Sequence, residues 1–255
     1  MGTARSYAGC AAEPAKGKRE KGRARIALGL ASSLAAFVAV RARWKTSFEK
    51  PSSNPPSGRG GFYSVFSVDA VVAQGYEAGG HRGTFLGFEA SALIGTIAPV
   101  PQFVDKVSVP VIASGGIMDG RGIVAALALG ASAVQMGTAF LASRESGAHP
   151  SHKKAVLQSR DTSTVITAAF SGKPARGIQN AFISLMREYE APIPPYPVQN
   201  ALTRPMRDWA ARQPDPEFMA LWAGQGSAMC REAGAGEIVR RLIREAEQVL
   251  GALSR

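Results

Sequence analysis

The sequence predicts an α/β fold in which repeated βα units form part of a TIM-type (β/α) barrel, followed by carboxyl-terminal helices. Short apolar runs rich in β-branched residues recur from residue 67 onward, and helical patterns such as GRGIVAALALGA separate them. The runs are continuously apolar rather than alternating, which is typical of a parallel sheet covered on both faces. We count about four βα units where a closed barrel has eight, so the predicted barrel is incomplete.

Residues 1–66 are predicted to form a basic and apolar extension with a linker. Of the net charge of +11, nine charges fall within residues 1–60, which hold twelve Lys or Arg against three Glu. The other 195 residues carry a net charge of only +2, which argues against nucleic-acid binding by the main body, since a binding face should show clustered basic residues.

The apolar run Ile26–Val40 lies within this extension. Its length of about fifteen residues is short of the roughly twenty that span a membrane. It could be the core of a signal or anchor, part of an Arg-rich targeting peptide, or a helix packed on the domain. Cytoplasmic localisation is the default, and organelle targeting or membrane association by this segment stays open.

The four predicted strands lie in the runs VDAVVAQG, VPVIASGG, ASAVQMGT and TVITAAFSG, within a barrel region at 67–190. Residues 191–255 are predicted to be a helical region. Its last part, EIVRRLIREAEQVL, repeats apolar residues at helical spacing and predicts an amphipathic helix packed on the body.

Small and polar residues follow three of these strands. Gln74 ends the first, Gly115 and Gly116 follow the second, and 135–138 end the third. Carboxyl ends of barrel strands carry the chemistry of such folds. The glycine pair leads into a helix, so backbone amides there and at QMGT are predicted to bind a phosphate, aided by the helix dipole.

The segment QGYEAGGHRG places His81, one of three histidines in the chain, beside several glycines. Glycines let the backbone approach a ligand closely, and histidine is suited to proton transfer near neutral pH. The segment therefore predicts a ligand site with chemistry beside it.

Four motifs in order, AQGYEAGGHRG, VPVIASGGIMDGRGIVAALALGASAVQMGTAFLAS, SGKPARGIQN and LWAGQG, resemble the FMN-dependent nitronate monooxygenases, also called 2-nitropropane dioxygenases. The resemblance covers roughly Val68 to Ala228. It implies a TIM-type barrel that carries FMN, a small helical domain, and oxidation of alkyl nitronates by molecular oxygen to carbonyl compounds and nitrite.

The resemblance also implies roles for individual residues. His81 corresponds to the active-site histidine. The residues that correspond to cofactor-binding positions are Gln74, Gly79, Gly115, Gly116, Gln135, Met136, Gly137, Thr138, Gln225 and Gly226. The implied ligands are FMN, a small nitronate and O2; homo-oligomerisation stays open, and no metal site is expected because the cysteines lack metal-type spacing.

The remaining side chains that could carry chemistry have simpler interpretations. His149 and His152 lie in a Pro-containing helix start and are predicted to be surface residues. Glu77 is predicted to neutralise a neighbouring arginine or to orient its loop. Trp209 and Trp222 are predicted to pack within the helical region.

The sequence departs from the family in one respect: nothing before Ser67 matches the family's first strands. The chain is then a fragment, a half that assembles with another half, or a barrel closed by its amino-terminal segment. Two other functions stay open, an FMN- and NADH-dependent enoyl-thioester reductase of the same superfamily and a truncated non-catalytic remnant.

Overall fold

The computed structural model describes residues 68–84, 90–189 and 192–255, together with the backbone of two strands in the amino-terminal region. The strands of the described residues are β1 (Arg25–Leu30), β2 (Ala36–Arg41), β3 (Val71–Gln74), β4 (Gly80–His81), β5 (Val111–Ser114), β6 (Ala133–Met136), β7 (Thr164–Thr167) and β8 (Ala175–Ile178). The α-helices are α1 (Pro99–Val104), α2 (Gly120–Ala128), α3 (Thr138–Leu141), α4 (Pro150–Leu157), α5 (Ala181–Glu188), α6 (Val198–Arg212) and α7 (Ala235–Leu253). Short 3-10 helices lie at Ala90–Ala92, Pro216–Phe218 and Gln225–Met229.

A five-stranded sheet with the order β1-β2-β6-β5-β3 forms the main layer. Strands β3, β5 and β6 are parallel, as the sequence predicts. Their register pairs Gln74 with Ser114 and Ser114 with Gln135. The polar residues that end three separate strands therefore lie in one row at the same edge of the sheet.

The described parts of the amino-terminal apolar run, residues 26–30 and 36–40, lie in two strands of this sheet. β1 and β2 pair antiparallel with each other, and β2 pairs antiparallel with β6. The prediction that this run could be a packed helix is thus wrong, because strand pairing at the edge of β6 satisfies its backbone instead. Within the described residues, no helix combines the length and the apolarity required to cross a membrane.

A second, three-stranded sheet has the order β4-β8-β7 and is antiparallel. The prediction that β7 continues the parallel sheet is therefore wrong. Residues 168–174, which join β7 to β8, are fewer than the dozen or more that a parallel crossover needs. The chain turns back at this point, and β7 pairs with the strand that follows it.

Helices α2 and α7 pack against each other beside the parallel sheet. The Asp119 carboxylate caps α2 by accepting from the backbone amides of Arg121 and Gly122. Ile238 and Leu242 of α7 are fully buried in the main core, which confirms the predicted amphipathic helix. A Cβ at Gly120 would collide with the backbone of α7, so the two helices need glycine at this crossing.

Candidate functional site

A cavity of about 510 Å³ opens at the carboxyl ends of β3, β5 and β6. Nine of the ten predicted cofactor positions line it: Gln74, Gly79, Gly115, Gly116, Gln135, Met136, Gly137, Thr138 and Gly226. Gln225 and His81 are not among the described lining residues. The structure thus brings the two predicted phosphate-binding strand ends to one cavity.

The loop after β5 turns through two glycines with positive φ, 118° at Gly115 and 69° at Gly116. A Cβ at Gly115 would also lie 3.0 Å from Thr96 Oγ1 and 3.1 Å from the Ala78 amide. Backbone conformation and packing therefore both require glycine at Gly115. The expected help from the α2 dipole is limited, because Asp119 already occupies the first amides of that helix.

The glycine after β6 has a different basis. Gly137 has an ordinary φ of −99°, and no described atom would lie within 4 Å of a Cβ at this position. The folded chain itself therefore does not require glycine here. The open space in front of Gly137 belongs to the cavity, so a ligand that approaches the backbone is the simplest reason for a glycine.

Buried arginines hold the backbone of the loop that carries QGYEAGGHRG. Arg82 Nη1 donates to the Gly75 carbonyl at 2.9 Å. Arg176 Nε donates to the Tyr76 carbonyl at 3.0 Å, and its guanidinium lies 4.3 Å from the centre of the Tyr76 ring. These carbonyl groups are therefore bound to interior arginines and do not face a ligand with negative charge.

Glu77 fixes the same loop from its other side. Its carboxylate accepts from the Thr96 amide at 2.9 Å and from Thr96 Oγ1 at 2.8 Å. Among the ion pairs of the described residues, none joins Glu77 to Arg82. The contacts thus favour the loop-orienting role over direct neutralisation.

His81 is exposed and does not line the cavity, but its ring lies beside Trp222, which does. Its ring centroid is 5.6 Å from that of Trp222, which lines the cavity, and its Nε2 is 2.8 Å from Ser171 Oγ. The Ser171 hydroxyl donates to the Lys173 carbonyl, so it accepts from His81 Nε2–H and leaves Nδ1 as the unprotonated nitrogen. Burial, and then the nearby Lys173 ammonium, lower the pKa of His81.

His152 was predicted to be a surface residue, and the structure corrects this. The helix start itself is confirmed, since His149 Nδ1 caps α4 by accepting from the Ser151 amide. His152, one turn further, lines the cavity and donates from Nε2 to the Trp222 carbonyl at 3.1 Å. Its spacing of four residues from the fully buried Val156 was the available signal, because such pairs share a helix face.

The two tryptophans differ in their surroundings. Trp209 is half exposed on α6 and lies outside the cavity. Trp222 packs edge-on against Phe170, with ring centroids 5.7 Å apart, but it also forms part of the cavity wall. The packing prediction therefore describes Trp222 only in part.

The described residues contain no group of three or more His, Cys, Asp or Glu that could hold a metal ion. Cys230 is buried with a free thiol, and burial raises its pKa. The polar side chains that line the cavity are Gln74, Glu77, Ser114, Gln135, Thr138, His152 and Trp222.

A sequence model of the nitronate monooxygenase family matches residues 8–245, so the match extends beyond the predicted stretch of Val68 to Ala228 at both ends. Among curated proteins, a probable nitronate monooxygenase of Staphylococcus saprophyticus is 45% identical over 207 residues, covering 80% of this chain and 56% of that protein. A second, from Staphylococcus haemolyticus, is 50% identical over 185 residues, covering 72% and 52%. The chain spans about half the length of these curated relatives.

Solved structures of two related proteins also match about three quarters of this chain and just over half of their own length. A nitroalkane oxidase from Streptomyces ansochromogenes matches with a TM-score of 0.69 and 45% identity, covering 72% of this chain and 53% of that chain. FabK from Thermotoga maritima matches with a TM-score of 0.62 and 34% identity, covering 73% and 57%. The mixed α/β arrangement with its parallel strands is therefore shared with both.

Proposed function

The chain belongs to the nitronate monooxygenase family, and we propose on that premise that it binds FMN and takes part in oxidation of alkyl nitronates by molecular oxygen. In this proposal the parallel strands β3, β5 and β6 belong to a TIM-type barrel. The cavity at their carboxyl ends is the FMN site.

The observation that carries the proposal is the shared cavity of the two glycine-containing strand ends. Gly116 follows β5 and Gly137 follows β6, and both border the same space. The open position at Gly137 fits a bulky group that approaches the backbone closely. Backbone amides at two adjacent strand ends are a common way in which barrels hold a phosphate.

The cavity also receives residues from the proposed helical region at 191–255. Trp222, Gly224 and Gly226 line it together with the strand ends of 67–190. The Gly224 amide donates to Thr138 Oγ1 at 2.9 Å, which joins this segment to the end of β6. We therefore propose that both regions contribute to one binding site.

FMN would supply the redox chemistry of the reaction, while the protein positions the reactants and sets the electrostatics. The positive charge of Lys173, which acts on His81, favours a negatively charged nitronate nearby. With its lowered pKa, His81 is neutral at pH 7, and its free Nδ1 can accept a proton or a hydrogen bond. We propose His81 as the catalytic residue on this basis.

The test has two parts. The purified protein is mixed with FMN and freed of excess flavin, and its visible absorbance is measured. Oxygen consumption is then followed with propionate 3-nitronate. Yellow protein that consumes oxygen supports the proposal, while protein that stays colourless and inactive favours the non-catalytic remnant.

The similarity to FabK favours a second candidate, an FMN- and NADH-dependent enoyl-thioester reductase. Anaerobic addition of NADH to the flavin-loaded protein separates the two functions. Bleaching of the flavin absorbance by NADH supports the reductase, and an unchanged spectrum supports nitronate oxidation.

A further inference from the structure

Two histidines contact Trp222, and the proposed chemistry uses only one of them. The His81 ring lies against the Trp222 indole, with an angle of 54° between the ring planes. His152 Nε2 lies 3.1 Å from the Trp222 backbone carbonyl. Because a carbonyl oxygen can only accept, His152 donates this hydrogen bond and holds its proton on Nε2.

Trp222 also contacts β8 and the segment that precedes it. Trp222 forms an isolated antiparallel bridge with Gly177 of β8, and the next residue, Ile178, donates its amide to the Leu221 carbonyl at 2.8 Å. The indole packs edge-on against Phe170. Within the described residues, His152 makes the one side-chain hydrogen bond to the Trp222 carbonyl, and it does so from α4.

His152 is suited to such a contact. Burial lowers its pKa more than the hydrogen bond to the Trp222 carbonyl raises it, and His149 adds a smaller lowering effect, so the ring is neutral at pH 7. A neutral imidazole can donate to the carbonyl without placing a positive charge in the cavity wall. The bond also crosses from α4 to the segment after α6, so it joins two parts of the wall that are distant in sequence.

We propose that His152 is a positioning residue, whose hydrogen bond to the Trp222 carbonyl holds the indole against His81 and so fixes the orientation of the His81 ring. The effect of His152 on nitronate turnover rests on the proposed function. Its effect on the orientation of the His81 ring does not. His81 also faces Ser171, Lys173 and Tyr196, and among the hydrogen bonds and ring contacts of the described residues none joins these three to His152. The effect of His152 on His81 therefore passes through Trp222.

The first test measures Trp222 fluorescence in the protein without flavin. Replacing Trp44 and Trp209 by Phe leaves Trp222 as the only tryptophan of the three in the chain. Protonated imidazole quenches an adjacent indole, so emission titrated between about pH 5 and 8 shows a step when His81 ionises. His81→Asn in the same background removes this step and identifies it.

We expect His152→Met to move the midpoint of this step upward, toward the ordinary histidine value of about 6.5, because the His81 ring loses packing against the indole. His152→Gln keeps a donor near the position of Nε2 and is expected to keep the original midpoint. His149→Asn is the matched control, since it lies on the same helix and retains a cap for the Ser151 amide.

An unchanged midpoint in folded His152→Met overturns the proposal, and so does an equal shift in His152→Gln. Thermal melting establishes whether each variant is folded. If His152→Met does not fold, His152→Asn replaces it, because its shorter amide does not reach the carbonyl. The same comparison with His152→Gln then decides the question.

The second test applies to the flavin-loaded protein. Because His152 lines the proposed FMN cavity, kcat is measured at saturating FMN; His152→Met is then expected to lower it on the order of tenfold through misplacement of His81, with KM for the nitronate close to the original value. His152→Gln should restore most of the rate. Loss of FMN affinity with an unchanged kcat at saturating FMN would assign His152 to the ligand contact itself and overturn the positioning role. If the protein with original His152 does not turn over a nitronate, the proposed function is refuted. The fluorescence titration still tests whether His152 positions the His81 ring.

Discussion

Replacement of Gly137 by Ala tests whether the open space at the end of β6 is a cofactor site. The backbone at Gly137 is in the ordinary right-handed region, and no described atom would meet the added methyl group. Folding should therefore tolerate the change, and the lower entropy of the unfolded chain should stabilise the protein by about 0.4–1 kcal/mol.

Binding of FMN should respond in the opposite direction. The methyl group would point into the cavity that we assign to the phosphate, and overpacking of a tight site costs about 1–3 kcal/mol. This corresponds to a dissociation constant raised by about 5- to 150-fold. The assay is titration of FMN with protein, followed by the loss of flavin fluorescence, with thermal melting of each variant measured alongside.

Gly147→Ala is the matched control. A Cβ at Gly147 would also meet no described atom, but this residue does not line the cavity. The control should bind FMN as the original protein does. If Gly137→Ala binds FMN with unchanged affinity, the phosphate does not lie in front of β6, and the reasoning that assigns the site is refuted.

Three further outcomes follow from the site. Gly115→Ala should lower the free energy of unfolding by about 1–3 kcal/mol, because φ at this residue is 118° and the added methyl group would press on Thr96. Denaturant unfolding measures this change, and an unchanged free energy of unfolding would contradict the argument from strain. His81→Asn should lower nitronate turnover by about 10²-fold while FMN stays bound; turnover near the original rate would remove His81 from the mechanism. Lys173→Met should raise the pKa of His81, because the Lys173 ammonium lowers it. As the pH is lowered, the variant should then lose activity at a higher pH than the original protein. An unshifted pH–rate profile would show that Lys173 has no effect on the pKa of His81.

The sequence allowed prediction of the parallel strands because β3, β5 and β6 carry continuous apolar runs, although Val72 on one face of β3 is exposed in the structure. The same pattern failed for β7. The run TVIT is also rich in β-branched residues, but its pairing depends on the short turn that follows it, and the turn sets the direction of the next strand. Local apolarity thus identified the strand, while the neighbour it pairs with depended on connection length.

Some residues of the candidate site could likewise be predicted from the sequence, and others could not. The glycine-rich strand ends could be predicted because unusual backbone conformation leaves a mark in the sequence, as at Gly115 and Gly116. His152 and Trp222 could not be placed in the same way, since their role depends on how α4 and the segment after α6 meet around the cavity. Contacts between distant segments leave no local pattern in a single sequence.

The direction of the amino-terminal hairpin has a consequence for shortened versions of the protein. Because β2 runs opposite to β6, its first residues, Ala36 and Phe37, pair with Met136 and Gln135 directly beneath the cavity. Removing the chain up to Arg41 would uncover the amide and carbonyl groups of β6 at that point. A bare strand edge attracts other chains, so self-association would begin at the strand that also carries two of the proposed cofactor contacts.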